Sequence, residues 1–94
     1  MMIEIKQLEY FTACIEYGSF SEAAKALYTT QSNVSKVILQ LEKQIKLVLF
    51  VRKRRGIELT ERGKIVYAYA RQVLRHTELL EQYAAQAETE EGSS

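Results

Sequence analysis

Proline occurs nowhere in the 94 residues, and glycine stands only at Gly18, Gly56, Gly63 and Gly92. A chain without its strongest helix breaker, and with so few permissive residues, is expected to be mainly helical, with the glycines as punctuation. Leu8, Phe11 and Ile15 recur at helical spacing, so the first helix is expected over Ile5 to Tyr17, closed by Gly18 in a left-handed cap. Ser19-Phe20-Ser21-Glu22 has the spacing of a capping box, Ser19 capping and Glu22 reaching back, with Ser21 as a competing cap. Either opens a short second helix through Ala23, Ala24 and Leu27. Tyr28-Thr29-Thr30 interrupts it, and Thr30 is a natural N-cap for a third helix from about Gln31 to Ile45. Its apolar face is Val34, Val37, Leu41 and Ile45, while Lys36, Gln40 and Lys43 project elsewhere.

After that the period changes. Val48 to Val51 are apolar and partly β-branched; RKRRG and then Ile57-Glu58-Leu59 follow, which reads as a two-stranded hairpin with Gly56 supplying the turn. Thr60 caps a last helix, with Glu61 in its first turn where the helix dipole favours a negative charge. Along that helix Val66, Tyr69, Val73, His76, Leu80, Tyr83 and Ala87 recur every three or four residues, and Ile65, Ala70 and Leu79 widen the stripe. So small a domain cannot cover it. The stripe asks for a helix from a second subunit, which makes Val66, Tyr69, Val73, His76, Leu80 and Tyr83 the expected homodimer interface.

A net charge of +1 conceals a segregated field. From Lys25 to Arg75 there are twelve basic residues against three acids, Glu42, Glu58 and Glu61, and most of the compensating carboxylates lie at the two ends. Such a field suits a polyanionic partner, although a solvated basic face would look the same by charge alone. With 47% hydrophobic and 27% charged residues the composition is that of an ordinary globular protein. A chain this short buries a modest fraction of its surface and is expected to lean on a partner. No run reaches the ~18 apolar residues that a membrane span requires. The opening MMIEIKQLEYF carries Glu4 and Glu9 without an apolar stretch, so no signal peptide and a cytoplasmic location are expected. The single Cys14 cannot form an intrachain disulfide and has only His76, far along the chain, as a potential co-ligand, so no metal or cofactor is expected. Beside Phe11 and Ile15 it reads as a small core residue.

FSEAAKALYTTQSNVSKVILQLE meets the requirements of a helix-turn-helix. Ala24 is the small residue where two helices cross, Leu27 the apolar end of the first, and Val34 and Val37 the packing positions of the second. Gln31, Ser32, Asn33, Ser35 and Lys36 then face outward near the N-terminus of the second, with hydrogen-bonding ends suited to a major groove. Four cations, Arg52, Lys53, Arg54 and Arg55, crowd a narrow hairpin turn. That repulsion is unhelpful in a purely structural hairpin and useful against a DNA backbone or minor groove. The organisation expected is a winged helix-turn-helix, three helices plus a two-stranded wing, over 1–59. A linker and dimerisation helix follows over 60–88, then a disordered tail or an artificial remnant over 89–94.

KQLEYF, GSFSEAAKAL, TTQSNVSKVILQLE and LFVRKRRGIELTERG, followed by the long helix, occur in the order and spacing of LysR-type regulators, and the chain resembles that family from Ile5 to about Ala87. The resemblance implies a bacterial transcriptional regulator that binds double-stranded DNA at an interrupted palindrome. It implies that Gln31 and Ser35 help read base edges, that Thr30 and Lys36 hold phosphate or base edges, and that Ser21 touches phosphate. It places Arg52, Arg54 and Arg55 near the minor groove and backbone. Ser32 stands where the family has proline, Lys36 where it has arginine, and Lys46 and Val48 where glycine and proline are common. The resemblance also implies a larger C-terminal domain, absent from these residues, through which a small-molecule effector would act.

Other classes fit less well. An enzyme would need a nucleophile and base, a phosphate-cradling loop or a metal cluster, and the lone His76 lies in the apolar stripe. An RNA binder would need exposed paired aromatics on strands. A nuclear-localisation reading of RKRRG is made redundant by the flanking strands and helices. The alternative of substance is a winged-helix protein-interaction module without DNA, for which replacing Arg52, Arg54 and Arg55 would barely matter.

Overall fold

The computed structural model describes residues 2–92. The chain runs α1 (Ile5–Tyr17), α2 (Phe20–Ala26), α3 (Gln31–Ile45), β1 (Phe50–Lys53), β2 (Gly56–Leu59) and α4 (Glu61–Gly92). Caps set most of these bounds. Gly18 closes α1 with φ 83°, donating its N–H to the Cys14 carbonyl at 3.1 Å. Ser19, rather than Ser21, caps α2 by accepting from the Glu22 N–H at 3.0 Å. The Glu22 carboxylate does not return to Ser19 as a capping box requires but turns to Lys25 at 3.3 Å, since Lys25 lies one turn along the same exposed face. Thr30 caps α3 through the Asn33 N–H at 3.1 Å. Lys46 closes α3 at φ 58°, a left-handed conformation that a side chain occupies at a cost of about 1 kcal/mol or more.

Three helices enclose one core. Phe11, Cys14, Ala23, Val34, Leu41 and Leu49 are fully buried there. Phe11 packs its ring 5.5 Å from Phe50 and 6.4 Å from Tyr67, and Phe20 lies edge-on to Phe50 at 5.6 Å. The hairpin and α4 are thereby fastened to the same aromatic cluster.

The strands pair antiparallel, Phe50 with Leu59, Val51 with Glu58, Arg52 with Ile57 and Lys53 with Gly56. The turn is therefore Arg54-Arg55, and Gly56 opens β2 instead of forming the turn. Its φ of 120° still requires glycine. Two clamps hold the root of the hairpin. The Glu42 carboxylate accepts from the N–H of Leu49 at 2.6 Å and of Phe50 at 3.4 Å. Thr60 donates its hydroxyl to the Val48 carbonyl at 2.6 Å and caps α4 by accepting from the Gly63 N–H at 2.9 Å. A Cβ on Gly63 would run into the Leu49 carbonyl oxygen and the Leu59 side chain, so only glycine lets α4 pass this close.

Helix α4 continues to Gly92, beyond the end at 88 that its apolar stripe suggests; Ser93 and Ser94 lie outside the described residues. Val66, Tyr67, Ala70 and Leu74 pack on the core. The rest projects, giving extents of 59 × 26 × 19 Å. The radius of gyration is 15.9 Å, against about 12 Å for a compact domain of this length.

Candidate nucleic-acid interface

Successive residues of a helix are rotated by about 100°. On α3 this sends Val34, Val37, Ile38 and Leu41 inward, where all four are buried. Gln31, Ser32, Ser35, Lys36, Leu39, Gln40 and Lys43 fall on the opposite side, where they line an open groove whose far wall is Arg52 of β1. Strand alternation explains that wall: Phe50 and Arg52 share the face of the hairpin turned toward the helices. The Arg52 guanidinium lies 5.4 Å from the centre of the Phe20 ring, which steers it to the mouth of the groove.

A second cleft joins the first. Ser19, Phe20, Ser21, Gln31, Arg52, Lys53, Gly56 and Ile57 line it, so Gln31 and Arg52 belong to both. Ser21, Gln31, Ser32, Ser35, Lys36, Arg52 and Lys53 are thus brought onto one surface. Arg54 and Arg55 stand exposed at the hairpin tip. Lys53 lies 3.9 Å from Glu58, which offsets part of its charge. Among the described residues no carboxylate comes within 4.0 Å of Lys36, Arg52, Arg54 or Arg55.

Asn33 is placed differently from its neighbours. It is half-buried, and its carboxamide donates to the Thr29 hydroxyl at 3.0 Å and the Tyr10 hydroxyl at 3.3 Å. Those contacts tie α1, the turn and α3 together and occupy the donor that a base edge would need. The Thr30 hydroxyl is likewise engaged as the cap of α3. Conversely, Leu39, Gln40 and Lys43 also line the groove; sequence spacing sets Gln40 and Lys43 off the core face but gives Leu39 no role, although a helical wheel puts all three there. Tyr28, at the tip of the helix-turn-helix turn, has φ 56° and is 97% exposed.

The stripe on α4 splits in two. Val66 packs on the core, whereas Tyr69, Val73, Leu80 and Tyr83 are exposed. Tyr69, Val73, His76 and Leu80 line a shallow groove with Gln72 and Thr77. Tyr69 and Val73 also border an apolar groove toward Ile3, Leu8, Ile45 and Leu47, so the uncovered surface is continuous from α4 to the ends of α1 and α3. His76 Nδ1 lies 3.0 Å from the Gln72 carbonyl, one turn back. Burial pushes the Cys14 thiol up to about 12, which leaves it unreactive. Among the described residues no group of three His, Cys, Asp or Glu is placed to hold a metal ion, and no helix is long and apolar enough to cross a membrane.

Three helices with a basic hairpin beside the exposed face of the third define a winged helix-turn-helix, a class that sets a helix in the major groove of DNA. Residues 5–64 match the model of the bacterial regulatory helix-turn-helix proteins of the lysR family, more than half of the chain, and the chain belongs to that family. It is a LysR-type DNA-binding domain, from a family of transcriptional regulators rather than enzymes. The chain is 37% identical over 91 residues to the HTH-type transcriptional regulator CzcR of Bacillus thuringiensis strain Al Hakam, covering 97% of this chain and 30% of that protein. It is 43% identical over 72 residues to the HTH-type transcriptional regulator TfdT of Cupriavidus pinatubonensis, covering 77% of this chain and 32% of that protein. The chain therefore spans about a third of the length of these curated relatives. Among solved structures it resembles the CbnR DNA-binding domain in complex with DNA, with a TM-score of 0.85 and 34% identity over 90% of this chain and 98% of that one. The BenM DNA-binding domain with benA site 1 DNA gives a TM-score of 0.86 and 29% identity over 90% and 96%.

Proposed function

We propose that this chain binds double-stranded DNA sequence-specifically as a homodimer, setting two α3 helices into half-sites of an interrupted palindrome. The observation that carries the reading is the groove in which the exposed face of α3 meets Arg52, where every lining residue but Leu39 ends in a polar or charged group. Gln31, Ser32 and Ser35 supply hydrogen bonds to base edges, and Lys36, Ser21 and Lys53 supply phosphate contacts. Arg54 and Arg55 at the hairpin tip approach the minor groove or backbone. Asn33 and Thr30 serve by holding the start of α3 in place. The exposed stripe of α4 supplies the dimer contact, since the uncovered residues continue the apolar surface of the head. Similarity to domains solved with DNA supports the assignment. In a whole regulator of this family, acting in the bacterial cytoplasm, a C-terminal domain beyond this chain would take the small-molecule effector.

The test is selection from random duplexes at about physiological salt, where non-specific attraction is weak. The expected product is an enriched interrupted palindrome. Gln31→Ala should change which bases are preferred, at about 1–3 kcal/mol for the affected position. Lys36→Ala should weaken all duplexes alike and lower the salt slope by about one. No enrichment, together with wing variants that leave partner binding untouched, would favour a protein partner instead.

A further inference from the structure

We infer that Leu39 is a specificity residue that reads the 5-methyl group of thymine, an inference that rests on the DNA-binding reading above. A leucine exposed on a helix is unremarkable by itself. Its position gives it meaning. Leu39 is 54% exposed, and at about 100° per residue it lies opposite the face formed by Val34, Ile38 and Leu41. It shares the groove with Gln31, Ser35, Lys36 and Arg52, and every other residue lining that groove is polar or charged. A protein surface that filled such a groove would bring a contiguous apolar patch, for which a single leucine is no match. A duplex brings an anionic, hydrogen-bonding surface with isolated apolar points. In the major groove those points are the thymine methyls, which no other unmodified base carries.

The experiment uses the 94-residue chain and its Leu39→Ser variant, each passed through the same random-duplex selection. Each thymine of the wild-type winner is then replaced singly by deoxyuridine, which removes the methyl and keeps every hydrogen-bonding edge. At one thymine in each half-site the replacement should raise the wild-type Kd about fourfold, equivalent to one buried methyl at about 0.8 kcal/mol. Leu39→Ser, folded by circular dichroism, should be indifferent there while keeping the rest of the motif. An enriched motif without thymine, a wild type indifferent to every replacement, or a Leu39→Ser variant as sensitive as wild type would each overturn the inference and leave DNA binding standing. A wild-type selection that enriches nothing would overturn the DNA-binding reading and the role of Leu39 with it.

Discussion

The head of the molecule and the outer half of α4 hold side chains of the same kinds and treat them in opposite ways. Phe11, Leu41 and Leu49 are fully buried in the head, whereas past Leu74 the large residues Leu80 and Tyr83 are 66% and 68% exposed. Both regions have regular apolar spacing. Periodicity therefore establishes that a face exists, and only the surrounding elements decide whether the chain itself covers it. The head closes on its own aromatic cluster; the outer helix leaves its apolar side chains uncovered.

Three experiments bear on that contrast, taken from the largest effect downward. Phe11→Ala should cost about 3–5 kcal/mol in urea unfolding, because it opens a cavity where three elements meet. A loss below about 1 kcal/mol would mean that the head too depends on association. Leu80→Ser combined with Tyr83→Ser should leave the circular dichroism of the head unchanged while raising the dimer Kd by at least about tenfold, read by sedimentation across concentrations. An unaltered dimer would move the interface elsewhere. The smallest effect is chemical. At pH 8 Cys14 should react with a thiol reagent only as fast as the head opens, while a cysteine introduced by Gln82→Cys should react at once. The same thiol predicts a loss of stability in alkali that deepens as the pH rises past 9.0, read as a falling urea midpoint. Its folded value of about 12 exceeds the ordinary 9.0, so between those limits the unfolded chain ionises and the folded one does not.

The bounds of α1 and α3 are legible in the sequence because local signals agree there: apolar spacing, a threonine cap before Gln31 and a glycine after Tyr17. The hairpin was legible as a hairpin, but its turn falls at Arg54-Arg55, since the register is fixed by Phe50 packing on Phe11 and Phe20 rather than by the nearest glycine. The outward placing of Gln31, Ser35 and Lys36 follows from helical spacing, and that of Arg52 from the cluster of cations on the hairpin. The placing of Asn33 does not, because its partner Tyr10 lies on another helix 23 residues away. Glu42 is another example: as one of three acids in a basic stretch it reads as stray charge, and only the fold shows that it holds two backbone N–H groups of the hairpin.

That hold has a mechanical consequence. With Glu42 gripping the root of the hairpin from the end of α3, and Thr60 and Gly63 holding it from the start of α4, helix and wing stand as two jaws tied at their base. A duplex seated between them would have to supply the give itself, through local bending or a change in groove width. Sequence steps that yield cheaply would then be favoured at positions no side chain touches.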